Sequence, residues 1–110
     1  TSYCKGDFMI HVIATIECNL GKRVDFIEAF KRNVPNCLAE DGCLAYGPTI
    51  DTDSGISAQG PLRDNVVTVV EQWASLDALN AHLTAPHMAT YREEVQSMVA
   101  GVSLQVLEPA

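Results

Sequence analysis

The chain has 110 residues, enough for one domain at typical domain sizes and too few for two. Hydrophobic residues make up 47% and charged residues 19%, the mix of a folded chain rather than a disordered one. Fourteen acidic side chains against seven scattered basic ones leave a net charge of −7, which repels phosphate backbones and anionic lipid surfaces and argues against nucleic acid or a membrane as partner.

Apolar runs extend only a few residues, as at Val12 to Ala14, so no segment has the length to cross a bilayer. No basic stretch followed by an apolar one marks an export signal. The cysteines at 4, 18, 37 and 43 form no C-x-x-C pair, so neither a zinc knuckle nor a thioredoxin-type motif is present. They read as reduced thiols of a cytoplasmic protein. The alternative is a Cys37–Cys43 bridge, which needs a helix end and the next strand to lie close together.

Residues 1–8 lack periodicity and read as a flexible leader ahead of one domain over 9–110. Met9 to Cys18 alternates as a strand, with Ile10, Val12, Ala14 and Ile16 on one side and His11, Ile13, Thr15 and Glu17 on the other. From Lys22 the period changes to that of a helix, with Val24, Ile27, Phe30, Val34 and Leu38 forming the apolar stripe. Pro35 is expected to kink or weaken its last turns. Gly42 suits the left-handed stop.

Cys43 to Ile50 predicts a second strand, weak at Gly47 and Pro48 and so placed at an edge or bulge. The Gly- and Asp-rich stretch 51–65 predicts a long loop. Val66 to Ala74 is the strongest strand, β-branched through its first half. Ser75 can cap a helix with Leu76, Leu79 and Leu83 buried. Pro86 stops it and opens another from about His87 to Val99, which Gly101 ends before a last strand, Val102 to Leu107.

This order, βαββαβ with a broken second helix, is the α+β ferredoxin-like arrangement, an antiparallel sheet with its helices on one face. The other face is expected to carry Ile13, Val67 and Val69. Leaving them wet is unfavourable, since a few hundred Å2 of apolar surface is worth several kcal/mol at about 25 cal/mol per Å2. A homodimer pairing two such faces follows as the expectation.

Trp73, His82, His87, Tyr46, Tyr91, His11 and Asn33 are the side chains that stand out as candidates for chemistry. A single Trp in a chain of this length is usually a core residue. His82 lies one helical step beyond Leu79, and His87 opens the next helix; either can be a plain bonded or solvated histidine. No compact cluster of Cys, His, Asp and Glu completes a metal site, and no Gly-rich nucleotide loop or nucleophile elbow is legible, so no metal and no cofactor is expected.

The run E-Q-W-x-S-x-x-x-L-x-A-H-L-x-x-P-H-M, Glu71 to Met88, resembles the antibiotic biosynthesis monooxygenase family. So do V-I-A-x-I at Val12 to Ile16 and E-D-G-C-L-x-Y at Glu40 to Tyr46. The likeness spans about residues 9–109 and is greatest to the small bacterial quinol monooxygenases. It implies a dimeric α+β barrel of ferredoxin-like subunits. It also implies metal- and flavin-free oxidation of an electron-rich quinol or phenol by O2, in which the deprotonated substrate itself passes an electron to O2.

On that resemblance Trp73, His82 and His87 surround the pocket. His82 is the candidate general base, Trp73 stacks on a planar ring, and His87 and Tyr46 hydrogen-bond substrate oxygens. Asn33 and Tyr91 are wall residues without motif support. Anthrone-oxidising relatives use an amide one turn of strand before the Trp, where this chain has Val69-Val70. Rival readings are another small-molecule enzyme of the fold, such as an isomerase acting on a phosphorylated autoinducer sugar, or a non-catalytic ligand-binding dimer. Haem degradation, with a His as axial ligand, is a further activity this fold hosts.

Overall fold

The computed structural model describes residues 9–110, so the expected leader at 1–8 lies outside the described residues. In chain order the elements are β1 (Ile10–Cys18), α1 (Arg23–Leu38), β2 (Cys43–Thr49), β3 (Val66–Trp73), α2 (Leu76–Leu83), α3 (Pro86–Val95), a 3-10 turn (Gln96–Met98) and β4 (Val99–Leu107). The sheet order is β2-β3-β1-β4, antiparallel throughout, which is the ferredoxin-like topology. No helix among the described residues is long and apolar enough to cross a membrane.

β1 alternates as its sequence requires, burying Ile10, Val12, Ala14, Ile16 and Cys18 toward the helices. Its pairing with β3 decides what V-V-T-V-V leaves open. Ala14 faces Val69 and Ile16 faces Val67, so both valines sit under the helices and not on the open face expected for them. The open face carries the Ile13–Val70 pair beside Thr15 and Thr68 instead. It is less apolar than the expected register made it.

The helices also turn out rotated. α1 buries Phe26, Ala29, Phe30 and Cys37, whereas Val24 and Leu38 are exposed. The two phenylalanines claim the sheet because they bury more area than the aliphatic residues beside them. α1 continues through Pro35 to Leu38, since only the amide that would reach back one turn is lost. In α2 Leu79 and His82 are buried, while Leu76 and Leu83 remain exposed. Ser75 Oγ does accept from Ala78 N–H, at 3.1 Å. Gly101 falls inside β4, beside the irregular register at Glu17/Cys18, and does not end the last helix.

Two turns position the site. Gly42 takes φ +81 after α1, and its carbonyl accepts from Ala74 N–H at 2.8 Å, locking the start of β2 to the end of β3. The stretch 50–65 has no regular structure, but the Asp51 carboxylate grips the Arg63 guanidinium at 2.8 and 2.9 Å and so staples the loop base. Cys18, Cys37 and Cys43 are free thiols, so no Cys37–Cys43 bridge exists.

Candidate active site

The Ser75 cap sets the phase of α2, and that phase drives His82 down onto the sheet, where it is 2% exposed. Its ring lies 4.7 Å from that of Trp73 and 5.2 Å from that of Tyr46. Nδ1 is 2.7 Å from Glu40 Oε2. A carboxylate oxygen only accepts, so Nδ1 carries the proton and the neutral ring keeps its lone pair on Nε2. Burial pushes the His82 pKa below the ordinary histidine value, with the Glu40 hydrogen bond opposing. The shift favours the neutral ring, whose second nitrogen carries a lone pair.

Glu71 is the second buried carboxyl. It follows Val67 and Val69 on the helix-facing side of β3, where alternation calls for an apolar residue. Trp73 Nε1–H donates to Glu71 Oε1 at 2.9 Å, satisfying both groups. Burial raises the Glu71 pKa, and the Trp73 hydrogen bond works against that rise. Trp73 itself is 0% exposed. Its indole backs His82 and Tyr46 and holds Glu71.

In front of these groups a cavity of about 490 Å3 opens between the sheet and α3. Phe30, Tyr46, Val69, Glu71, His82 and Tyr91 line its inner part. Phe30 stacks on Tyr46 at 5.4 Å with the rings 3° from parallel, and Tyr91 meets Phe30 edge-on at 5.7 Å. Burial pushes the phenols of Tyr46 and Tyr91 well above their ordinary pKa, so both remain protonated donors.

His87 and Asn33 stand together elsewhere. Asn36 Nδ2 donates to Asn33 Oδ1 at 3.0 Å, and the same oxygen faces His87 Nδ1 at 3.2 Å. These two residues line a separate, polar cavity of about 240 Å3 and not the large one. Cys37, Glu40 and His87 each bring one ligand atom within 4.8 Å of the others, a grouping that the chain did not disclose because His87 lies far from the other two in sequence. Burial favours the thiol form of Cys37, its pKa pushed up to about 12.

Of the six expected site residues, Tyr46, His82 and Tyr91 share the large cavity, Trp73 stands behind it, and His87 and Asn33 form a neighbouring cluster. Glu40, Glu71 and Phe30 were missed as site residues. A polar residue in an alternating apolar strand was the available signal for Glu71. Glu40 carried none beyond its place in the E-D-G-C-L-x-Y segment.

A helix-covered antiparallel sheet with a buried histidine–carboxylate pair opening on an apolar cavity narrows the protein to a small-molecule-handling member of the ferredoxin-like folds. Residues 9–94 match the family described as antibiotic biosynthesis monooxygenase, and the chain belongs to that family. It is 38% identical over 103 residues to the protein of Escherichia coli (strain K12) called "Probable quinol monooxygenase YgiN", covering 92% of this chain and 98% of that protein. PA3566 from Pseudomonas aeruginosa superposes with a TM-score of 0.79 at 20% identity, over 97% of this chain and 99% of that one. Rv0793 from Mycobacterium tuberculosis gives a TM-score of 0.74 at 24% identity, over 93% of this chain and 95% of that one. At such identities these two likenesses speak for the fold alone.

Proposed function

We propose that the protein is a cofactor-independent quinol monooxygenase. The observation that carries this reading is the His82–Glu40 pair, 2.7 Å apart, beside an apolar cavity of about 490 Å3, roomy enough for a small aromatic ring. The membership and the kinship to YgiN point the same way. His82 Nε2 takes a proton from the substrate hydroxyl, and Glu40 steadies the imidazolium that forms. Tyr46 and Tyr91, both protonated, donate to the developing phenolate. The electron-rich anion passes an electron to O2, and the radicals combine at a ring carbon. One oxygen atom stays in the ring and the other leaves as water, so a quinol and O2 give a hydroxyquinone and water, four electrons having passed from substrate to O2.

The phosphosugar alternative gains nothing from this lining. Among the described residues Arg92 is the one Lys or Arg at the cavity, and its guanidinium is engaged by Leu83 O at 2.7 Å. The reading includes a homodimer joined through the open sheet face, of about 24 kDa against 11.9 kDa for one chain.

Oxygen uptake with a panel of hydroquinones, run with and without air and with an absorbance scan for haem or flavin, tests the chemistry. Uptake by the colourless protein with one hydroxyquinone formed per O2 is the expected result; no uptake with any quinol defeats it. Light scattering at micromolar concentration tests the dimer, and a stable monomer removes it.

A further inference from the structure

His87 is the site histidine that the oxidation does not use, and its two nitrogens are in unlike situations. Asn33 Oδ1, fixed as an acceptor by Asn36 Nδ2 at 3.0 Å, receives His87 Nδ1–H at 3.2 Å. The lone pair of the neutral ring is therefore on Nε2. That atom is buried without a hydrogen-bond partner among the described residues, and it sits 3.5 Å from Glu40 Oε2. A cation set to one side of the line between the two atoms would be within bonding reach of both. In a tetrahedral site with bonds of about 2.0 Å, oxygen and nitrogen ligands lie about 3.3 Å apart. Cys37 Sγ completes the group, all three ligand atoms lying within 4.8 Å of one another.

We propose that Cys37, Glu40 and His87 form a three-ligand site for a borderline divalent transition metal of the zinc type. Thiolate, imidazole and carboxylate together suit zinc and disfavour magnesium or calcium, which want oxygen alone. Asn33 plays the outer part, since a metal-bound histidine ordinarily gives its other N–H to a carbonyl or carboxylate oxygen. Water takes the fourth position. As the metal–sulfur bond forms, the Cys37 thiol proton passes to solvent and no electron moves. The polar cavity beside Asn33, Asn36 and His87 offers an approach apart from the apolar one.

Glu40 Oε2 serves both clusters, so an ion drawing on it loosens the hold on His82 Nδ1. On the oxidation reading, zinc at this site is thus an inhibitor and not a cofactor.

Cobalt(II) is the probe, titrated into the full chain with its thiols reduced. One equivalent should bind, giving a thiolate-to-cobalt charge-transfer band and the strong visible bands of a tetrahedral ion, all displaced by zinc. Cys37→Ser should abolish the charge-transfer band, while Cys4→Ser and Cys43→Ser keep it. His87→Ala should weaken binding by at least about 10-fold, the lower end of what even an outer contact is worth. Circular dichroism checks folding, and His87→Ala carries the test if Cys37→Ser fails to fold. No band at micromolar cobalt, or a band unchanged in both Cys37→Ser and His87→Ala, overturns the site. These readouts need no turnover, so they stand or fall apart from the oxidation; full activity in saturating zinc overturns the inhibitory link.

Discussion

The helix-facing side of the sheet ends in two unlike ways. Near α2 it is sealed: Val12, Trp73 and His82 are at most 2% exposed, and the buried polar groups of Trp73, Glu71 and His82 are paired with each other or with Glu40. Near β4 the same face stands open, with Val102, Leu104 and Val106 at 62%, 46% and 46% exposure. All three pair with inward positions of β1, so strand pattern does not separate the two ends. The helices do, because the chain breaks at Pro86 and α3 runs off without roofing β4. Burial is thereby concentrated around the paired polar groups, and the β4 end of the same face is left exposed.

Removing the imidazole breaks the sealed end most severely. His82→Ala is expected to lower kcat by about 10^2- to 10^4-fold with little change in KM, measured by oxygen uptake. Trp73→Ala should cost about 3–5 kcal/mol in urea unfolding, since a fully buried indole is lost and the Glu71 carboxyl loses its donor. Glu40→Gln should lower kcat by about 10^2-fold or more, because the amide can present its NH2 group to Nδ1 and favour the tautomer with the proton on Nε2.

The acid limb of the rate profile sharpens the contrast further. Burial lowers the His82 pKa, so the limb should fall below about 6.5, the ordinary histidine value, and vanish in His82→Ala. The same ring makes stability decline as pH falls through about 6.5, because the unfolded imidazole takes up a proton that the folded one refuses. At the open end, Val102→Ala should leave stability within about 0.5 kcal/mol of the parent, as for an ordinary surface change.

Strand alternation in β1, the Ser75 cap, the Gly42 turn and the E-Q-W-to-P-H-M run were legible, because each is written in a local pattern. The register of V-V-T-V-V was not, since four valines carry no alternation and only the pairing with β1 settles them. Nor was the phase of α1, where several apolar stripes compete and the sheet selects the one bearing Phe26 and Phe30. At the site, His82 and Tyr46 were readable from the motif, but their partners were not. Glu40 reaches His82 across 42 positions, a distance that no spacing rule spans.

Gly42 has no functional group, yet the alignment of the proposed base depends on it. A β-carbon there would stand 2.7 Å from the Ala78 methyl, on a backbone at φ +81 that side chains avoid. Ala78 belongs to the helix that carries His82, and Glu40 lies two positions before the glycine. Any substitution therefore acts as a wedge between the two struts that hold the proton-transfer pair at its working distance. For someone rebuilding this scaffold, position 42 is a dimensional tolerance of the machine itself.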